Sequence, residues 1–249
     1  MSLTISIVNH GHDMLVNKLL SSLIDNNEYI SKIIITNNIP GNINYSTKAK
    51  LPIKIVILNN SEPIGFGENH NNAFKYCETK YYCVLNPDII LSNNPFGALL
   101  SISCEKDIAI MAPLIQDVKG NIEDSARDFP TPFGLLKKLI GLNVGIYSDY
   151  KNELLIYPEW VGGMLMLIKS DVYERLSGFD ESYFLYYEDV DLCLRAWRSG
   201  NRVALTKNVV VVHDARRTSH RNIKYLKWHI TSMVRFFIKH LGRFPKVSI

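Results

Sequence analysis

Short apolar runs alternate with polar turns and amphipathic stretches through the first half of the chain. The apolar runs are rich in β-branched residues, which predicts buried strands. They cover residues 3–8, 32–35, 53–58 and 81–85. Apolar residues at helical spacing follow the first run, from Met14 to Leu23, and a second helical stretch covers about 68–78. This strand, turn and helix order predicts an α/β fold with helices on both faces of a parallel sheet.

The pattern is less regular in the second half. Residues 108–113, 160–169 and 203–213 are predicted strands, and the middle one is entered through two glycines. A helix is predicted from about Glu188, because Val190, Leu194 and Trp197 share one helical face. The intervening residues 116–157 are polar and aromatic and are predicted to form loops and short helices.

Composition excludes several classes of protein. The chain has 249 residues, of which 47% are hydrophobic and 21% charged, so it is neither disordered, collagen-like nor a coiled coil. Its four cysteines form no CxxC pair, which disfavours a disulfide scaffold and a structural zinc site. The first residues lack the features of a signal peptide, and no apolar run reaches the ~18 residues of a spanning helix. We therefore expect neither secretion by the usual route nor a transmembrane segment.

The positive charge is concentrated near the end of the chain. Residues 214–249 contain nine Lys or Arg and one Asp, whereas the rest contains 19 Lys or Arg against 23 Asp or Glu. Within this tail, six apolar residues step by three or four and predict a basic amphipathic helix. They are Ile223, Leu226, Ile230, Met233, Phe237 and Leu241. Such a helix suits an anionic membrane surface, or it packs on the protein or on a second copy. Nucleic acid is disfavoured because the rest of the chain is acidic and no recognised module is present.

Polar residues gather after the predicted strands, where open α/β sheets bind their ligands. Nucleotide binding is therefore the first expectation. No GxGxxG opens the first helix and no GxxxxGK[ST] is present, so a nicotinamide-dependent oxidoreductase and a P-loop protein are disfavoured.

Six short motifs then follow in a fixed order. They are GFGENHNNA at 65–73, NPD at 86–88, WVGG at 160–163, GFDE at 178–181, YEDVDLCLR at 187–195 and the strand-terminal His213. This order resembles the family 2 glycosyltransferases with the GT-A fold, especially bacterial rhamnosyltransferase-like members that build O-antigen and other cell-surface polysaccharides. The resemblance covers roughly residues 3–220. It implies a mixed, mainly parallel sheet flanked by helices, with a catalytic domain at 1–220 and a basic amphipathic tail at 221–249.

The resemblance implies a reaction as well as a fold. A sugar would pass from a nucleotide donor to a hydroxyl of a growing glycan, with inversion at the anomeric carbon. This chemistry needs a divalent metal to neutralise the leaving diphosphate, a base for the acceptor hydroxyl, and alignment of both partners. The implied donor is dTDP-rhamnose, and a UDP-hexose, including UDP-galactofuranose, is the alternative. A catalytically inactive nucleotide-sugar-binding subunit is a further alternative.

For the metal, Mg²⁺ or Mn²⁺, the resemblance implies two protein ligands, Asp88 and His213. The family usually carries an Asp-x-Asp-like signature, whereas this chain has Asn86-Pro87-Asp88 and keeps one carboxylate. The alternative interpretations are a polar turn after a strand and a buried or interface histidine.

Three acids lie within four residues at Glu188, Asp189 and Asp191. Like charges so close raise at least one pKa, which is typical of functional sites, although acids are also favoured at helix N-termini. The resemblance implies that Asp189 is the catalytic base, with Glu188 as the second candidate. Asp191 is expected to brace the site or to pair with Arg195, four residues further on.

The remaining site residues are assigned to the nucleotide sugar. Backbone N–H groups at a helix start can bind phosphate, and glycines leave room for a sugar. Where the family usually has an Asp for the nucleobase or ribose, this chain has Asn37, whose amide can still form such hydrogen bonds. The alternatives are a glycine-rich turn and glycines needed for packing. The predicted nucleotide-sugar site comprises Asn9, His10, Asn37, Gly65, Phe66, Asn71, Asn86, Asp88, Trp160, Gly162 and Gly163.

The resemblance also implies partners and a location. The acceptor is expected to be linked to a polyprenyl diphosphate, and residues 116–157 are expected to cover its site. The tail would dock on the anionic inner leaflet, so the protein is expected to be cytoplasmic and peripheral at the inner face of the bacterial cytoplasmic membrane.

Overall fold

The computed structural model describes residues 2–25, 28–43, 53–134, 153–214, 223–241 and 243–245. Part of the predicted loop region 116–157, namely 135–152, lies outside the described residues. The helices whose bounds lie within the described residues are α1 Asp13–Asp25, α2 Phe66–Phe74, α3 Phe96–Glu105, α4 Ser170–Arg175, α5 Glu188–Arg198 and α6 Ile223–His240. The strands are β1 Leu3–Asn9, β2 Ile30–Asn37, β3 Lys54–Asn59, β4 Tyr81–Leu85, β5 Ile89–Ile90, β6 Ile108–Asp117, β7 Ala126–Arg127, β8 Leu155–Ile156, β9 Trp160–Val161, β10 Leu165–Lys169 and β11 Arg202–His213.

One large sheet has the strand order β3-β2-β1-β4-β10-β6-β11-β5, and β8 pairs with β11 beside this path. The first four strands in this order are parallel neighbours, and β6 is parallel to β11. Strand β10 runs antiparallel between β4 and β6, and β5 and β8 run antiparallel to β11. The predicted mixed, mainly parallel sheet is therefore confirmed.

Helices cover both faces of this sheet, which explains why its central strands are continuous apolar runs. In β4, Tyr81 and Cys83 face one core with the apolar residues of α1 and α3, whereas Tyr82 and Val84 face the other with α5. Alternate residues of a strand point to opposite faces, so one short run contributes to both cores.

The prediction of one strand over residues 160–169 is wrong. Strand β9 pairs with β7 in a separate two-stranded sheet, whereas β10 pairs with β4 in the large sheet. The chain changes sheets at a turn, where Gly162 N–H donates to Ser125 O and Asn86 N–H donates to Met164 O. This turn lies beside the carboxyl end of β4 and contributes to the site described below.

Helix α6 packs one face on the rest of the protein. Phe236 is fully buried, and the Ser232 hydroxyl donates to Leu185 O at 2.9 Å. Met233 and Phe237, which the pattern predicts in the apolar stripe, pack partly buried around Phe236. A different set of apolar side chains is exposed on α6: Ile223, Leu226, Ile230, Val234 and Ile238, followed by Leu241 just after it.

Among the helices in the described ranges, none combines the length and the hydropathy that crossing a membrane requires.

Candidate active site

Three asparagines form a ladder across the carboxyl ends of β1, β2 and β3. The register places Asn9, Asn37 and Asn59 side by side. The Asn9 amide donates to Asn37 Oδ1 at 2.9 Å, and the Asn37 amide donates to Asn59 Oδ1 at 2.8 Å. Asn9 and Asn37 are buried. Parallel strands end at the same edge, so the ladder forms a polar floor where a ligand of such a sheet binds.

A second amide layer continues this floor toward α2. Asn60 donates to Asn38 Oδ1 at 2.9 Å and to Asn69 Oδ1 at 2.8 Å, which ties the end of β3 to α2. His10 is exposed at the same edge, with Nδ1 at 3.3 Å from Asn38 Nδ2. Burial, followed by the charges of His12 and Lys224, lowers the pKa of His10. His10 therefore sits neutral and accessible above the amide floor.

Asp88 and His213 lie together at the opposite end of this edge. His213 Nε2 is 3.2 Å from Asp88 Oδ2, because β5 returns from Asp88 and pairs antiparallel with the end of β11. The other ring nitrogen, Nδ1, is 2.7 Å from Glu123 Oε2. Burial lowers the pKa of His213, but the two carboxylates outweigh it and raise the pKa to about 9. Each group of this cluster is less than one-third exposed.

The donor set of Asp88 and His213 fits a divalent cation. Asp88 Oδ1 is buried and meets no hydrogen-bond partner among the described residues, and a carboxylate oxygen left this way is a free cation ligand. Oxygen and imidazole together suit Mn²⁺, and oxygen suits Mg²⁺. No group of three or more His, Cys, Asp or Glu within the described ranges forms a complete metal site. Two protein ligands would leave coordination positions for phosphate and water.

The start of α2 is held against the chain segment that precedes α5. A Cβ on Gly65 would lie 3.0–3.1 Å from the backbone of Tyr183 and Phe184, and Phe66 N–H donates to Phe184 O. The Phe66 ring also lies next to Gly163. Glycine at position 65 is required for this close approach, which brings the start of α2 to the site.

The side-chain amide of Asn71 forms hydrogen bonds with residues between 173 and 181. Its Oδ1 accepts from the Tyr173 hydroxyl and from Phe179 N–H, and its Nδ2 donates to Phe179 O and Glu181 Oε1. The amide therefore packs α2 against residues 173–181. These contacts use both donor and both acceptor positions of the amide, so Asn71 is not part of the proposed site.

Helix α5 begins after two consecutive residues in the left-handed region, Tyr186 at φ 72° and Tyr187 at φ 69°. Such a backbone costs of order 1–3 kcal/mol per residue and persists only where the surroundings impose it. Next to this turn, Asp189 accepts from Gly163 N–H at 3.1 Å and from Val190 N–H at 2.9 Å. Burial raises the pKa of Asp189 despite these hydrogen bonds.

Glu188 is more deeply placed than Asp189. It is 6% exposed, and its Oε2 has no hydrogen-bond partner within the described part of the chain. Burial, with the charge of Asp189, raises the pKa of Glu188 well above its usual value. Asp189 is half-buried and reaches the cleft, so it is the better placed of the two to contact a ligand.

The two clusters belong to one edge of the sheet. Asn86 N–H, two residues before Asp88, donates to Met164 O, and the neighbouring Gly163 N–H donates to Asp189. The chain of contacts from Asp88 to Asp189 therefore passes through a single turn at the carboxyl end of β4. The structure brings together the predicted metal ligands, the predicted base, Gly163 and Phe66.

A pocket of about 540 Å³ opens beside Asp189 and Glu188. Aromatic rings form much of its wall: Phe129, Trp160, Tyr186 and Tyr187. Arg127 and His229 add two basic groups to this wall, and Gly134 is the last described residue of the wall before the undescribed segment 135–152. Trp160 is fixed by its indole N–H, which donates to Asp128 O at 3.0 Å.

Helix α6 supports the segment that leads into α5. The rings of Phe184 and Trp228 stack with centroids 4.6 Å apart, and Tyr187 packs on Phe236 at 5.4 Å. His229, also on α6, lies 5.4 Å from the Tyr186 ring. These contacts, with that of Ser232, surround the left-handed turn and explain how it is held.

Asp191 forms the second link between α5 and α6. It is fully buried, and its carboxylate accepts from Arg195 Nε and Lys239 Nζ, both at 2.6 Å, and from His240 Nε2 at 2.8 Å. Burial raises the pKa of Asp191, but the His240 hydrogen bond and the charges of Arg195 and Lys239 bring it well below its usual value. Lys239 also contacts Asp180 at 2.7 Å.

Four residues at this sheet edge and in this pocket are not predicted from the sequence: Asn59, Glu123, Arg127 and His229. Glu123 and Arg127 lie in an irregular segment without a recognisable motif, and His229 was assigned to a tail outside the catalytic domain. The one available signal was Asn59, which follows a predicted strand as Asn9 and Asn37 do.

No family model matches the chain. Rhamnosyltransferase WbbL of Escherichia coli K12 is 29% identical, over 94% of this chain and 92% of that protein. The N-acetylglucosaminyl-diphospho-decaprenol L-rhamnosyltransferase of Mycobacterium tuberculosis is 28% identical, over 71% of this chain and 61% of that protein. Both relatives are named as rhamnosyltransferases.

Among solved structures, GalNAc-T7 with UDP, GalNAc and Mn²⁺ superposes with a TM-score of 0.65 at 17% identity. The match covers 89% of this chain but 44% of that one, and it bears on the fold alone. The comparisons confirm the predicted GT-A fold and the predicted resemblance: the chain is similar to rhamnosyltransferase-like glycosyltransferases.

Proposed function

We propose that the chain is an inverting, metal-dependent glycosyltransferase of cell-surface polysaccharide synthesis, with Asp189 as its catalytic base. One observation carries the proposal. A half-buried carboxylate with a raised pKa opens into a 540 Å³ pocket, at the same sheet edge as the Asp88–His213 cluster. A base and a cation site at one edge are what sugar transfer from a nucleotide requires.

The geometry of Asp189 suits proton abstraction. Its two oxygens accept from Gly163 N–H and Val190 N–H, which fixes the carboxylate and leaves lone pairs toward the pocket. The raised pKa makes it a stronger base than an exposed aspartate. The acceptor hydroxyl gives its proton to this carboxylate as its oxygen bonds to the anomeric carbon. The bond from that carbon to the diphosphate oxygen breaks on the opposite face, which inverts the configuration.

Asp88 and His213 are the proposed ligands of Mn²⁺ or Mg²⁺. The unpartnered Asp88 Oδ1 and the adjacent imidazole support this assignment. A bound divalent ion supplies positive charge for the leaving diphosphate. The similar GalNAc-T7 fold was solved with Mn²⁺, which is consistent with such a site here.

For the donor, dTDP-rhamnose is the first candidate. The names of the two relatives support rhamnose, and the amide floor of Asn9, Asn37 and Asn59 supports recognition of a base or ribose by hydrogen bonds. His10, Gly65, Phe66 and Asn86 border this part of the cleft. A UDP-hexose, including UDP-galactofuranose, remains the alternative, because an amide floor does not discriminate between pyrimidines.

The proposed acceptor is a sugar on a polyprenyl diphosphate. Sugar rings pack on aromatic faces, and the pocket offers Trp160, Phe129 and Tyr187 next to the base. Arg127, which also pairs with Asp124, lies at its wall and is the proposed contact for a diphosphate oxygen. The mycobacterial relative is named for a decaprenol-linked acceptor, which supports this class of acceptor.

The tail is proposed to hold the enzyme on the anionic inner leaflet, as a separate element at 221–249 beside the catalytic domain at 1–220. Five apolar side chains of α6 and Leu241 are 47–84% exposed, although the opposite face of the helix is buried. Lys224, Lys227 and Arg235 lie alongside this stripe, and each basic residue near an anionic surface contributes about 1 kcal/mol. An apolar stripe with basic flanks is typical of helices that lie in the membrane interface.

Transfer by the purified chain tests the activity. Wild type with dTDP-rhamnose, Mn²⁺ and a polyprenyl-diphosphate-linked N-acetylglucosamine is expected to form a disaccharide product. Asp189→Asn is expected to bind the donor equally well and to form almost none. Failure of wild type with every dTDP-, UDP- and GDP-sugar would contradict the proposal.

Vesicle co-sedimentation tests the membrane contact. Wild type is expected to bind phosphatidylglycerol vesicles better than phosphatidylcholine vesicles, with less binding at high salt. Ile230→Glu with Ile238→Glu is expected to abolish this binding. Met14→Glu with Tyr76→Glu is the matched control, because these apolar residues are 77% and 47% exposed on other parts of the surface. Equal losses in both double variants would exclude a specific role for α6.

A further inference from the structure

We propose that Glu123 is a positioning residue of the metal site: it holds the His213 ring at Nδ1, so that Nε2 is presented beside Asp88. The inference deepens the proposed function and rests on the metal role of Asp88 and His213. Nothing in the motifs of the chain or in the comparisons assigns a role to Glu123.

A tight turn after β6 brings Glu123 to this position. Asp117 Oδ1 accepts from the N–H groups of Lys119 and Asn121 at 2.8 and 2.9 Å, and Gly120 takes a φ of 82°. The chain then runs back along β6, where Glu123 N–H donates to Ile115 O at 2.9 Å. The turn therefore places Glu123 beside the last residues of β6.

The parallel pairing of β6 with β11 determines the position of His213. Its register sets His213 opposite Asp117 at the common end of the two strands. Glu123 and His213 thus approach from two different elements, 90 residues apart in sequence, and meet at 2.7 Å. Both side chains are mostly buried, at 17% and 13% exposed, so the contact is not a mobile surface pair.

The two ring nitrogens of His213 have different partners. Nδ1–H donates to Glu123, whereas Nε2 lies 3.2 Å from Asp88. These nitrogens point away from each other, so a cation bound at Nε2 lies away from the Glu123 carboxylate. A carboxylate on the outer nitrogen fixes the ring orientation and tautomer of a metal-binding histidine and makes it a better ligand. Removing such a partner lowers metal affinity by about 10- to 100-fold.

Calorimetric titration of Mn²⁺ into the full-length protein, with and without dTDP or UDP, tests this role without relying on activity. Glu123→Ala is expected to weaken Mn²⁺ binding by about 10- to 100-fold. Glu123→Gln keeps an acceptor for Nδ1–H but loses the charge, and is expected to lose less affinity than Glu123→Ala. Glu123→Asp keeps the charge but is one methylene shorter, and is expected to lose affinity. Glu105→Ala removes an exposed acid of α3 and is the control.

The outcomes separate this inference from the proposed function. Wild-type affinity in Glu123→Ala or Glu123→Asp, with affinity lost in His213→Ala and Asp88→Asn, overturns the role of Glu123 and leaves the metal site standing. A loss in Glu123→Gln as large as in Glu123→Ala overturns positioning in favour of direct ligation. Absence of Mn²⁺ and Mg²⁺ binding in wild type overturns both. If Glu123→Ala does not fold, Glu123→Asp decides the question, because it retains the charge and most of the volume.

Discussion

The first turn of α5 carries two aspartates, Asp189 and Asp191, whose surroundings shift their pKa values in opposite directions. Asp189, on the cleft side, accepts two backbone hydrogen bonds and makes no ion pair within the described residues, and burial raises its pKa. Asp191, on the α6 side, is more deeply buried but contacts Arg195, Lys239 and His240, and its pKa lies well below the usual range. Burial alone therefore does not determine the chemistry of these acids. Their chemistry is determined by whether a cationic side chain lies beside the carboxylate.

This difference in charge compensation distinguishes a reactive acid, Asp189, from an acid that stabilises the fold, Asp191. Burying a carboxylate without a compensating cation is costly in free energy, and such groups are found mainly at functional sites. A compensated carboxylate is inert and ties elements together. Here the two lie two residues apart, so α6 fixes the start of the helix whose other side carries the proposed base.

The largest expected effect is on catalysis at Asp189. Asp189→Asn keeps the size and can still accept one of the two hydrogen bonds from Gly163 and Val190 through its single oxygen, but it cannot take a proton. We expect kcat to fall by about 100- to 10,000-fold with donor affinity unchanged. Steady-state transfer rates and donor titration measure the two quantities. A kcat within a few-fold of wild type would assign the base elsewhere.

The next effect is on stability at Asp191. Asp191→Ala leaves three basic groups without their carboxylate, and breaking a buried pair in this way costs about 3–5 kcal/mol. Asp171→Ala is a matched control, because Asp171 pairs with Arg175 at the same i, i+4 spacing, but both side chains are at least 60% exposed. The control is expected to change the free energy of unfolding by less than about 1 kcal/mol. Urea denaturation compares them, and similar losses would contradict the comparison.

A smaller effect is expected where α2 meets the segment before α5. Gly65→Ala pushes a Cβ to 3.0–3.1 Å from the Tyr183 and Phe184 backbone, so this segment must shift. Overpacking of this kind costs about 1–3 kcal/mol. Gly163→Ala meets its neighbours only at 3.5–3.8 Å, and its melting temperature is expected to stay close to wild type. Equal melting temperatures for both variants would show that the close approach is not constrained.

The smallest effect concerns Glu188. Its pKa is raised in the folded state, so the folded protein binds more protons than the unfolded one, and stability falls as pH rises above the unfolded pKa. Glu188→Gln removes this contribution. We expect a gain of order 1 kcal/mol at pH 8 and a flatter dependence of stability on pH from 5 to 8. Parallel stability curves for the two proteins would refute this account of Glu188.

The strand pattern predicts most strands of the sheet, and the resemblance that the order of motifs carries implies that Asp88, Asp189 and His213 meet at one site. Asp88, Asp189 and His213 each follow or precede a strongly patterned element, so their placement depended on few assumptions. Helix α3 was not predicted, although Phe96, Leu99, Leu100 and Ser103 are buried at helical spacing. The signal was present in the sequence but short.

Other features could not be predicted from local pattern. Residues 160–169 read as one strand, because the choice of partner strand at Gly162–Met164 is a long-range event. The pairing of Glu123 with His213 depends on the register of β6 and β11. In α6, apolar side chains cover more than one face, and the packing of Phe236 on Tyr187 selects which face is buried. Sequence spacing alone contains no record of these partners.

A crystal structure of the protein with Mn²⁺ and an unreactive donor analogue tests the central claim most directly. We predict one metal ion bound by Asp88 and His213, the diphosphate on that ion, and the Asp189 carboxylate facing the anomeric carbon from the opposite side. A donor whose anomeric carbon is screened from Asp189 by protein, or a metal bound away from Asp88 and His213, would contradict the account.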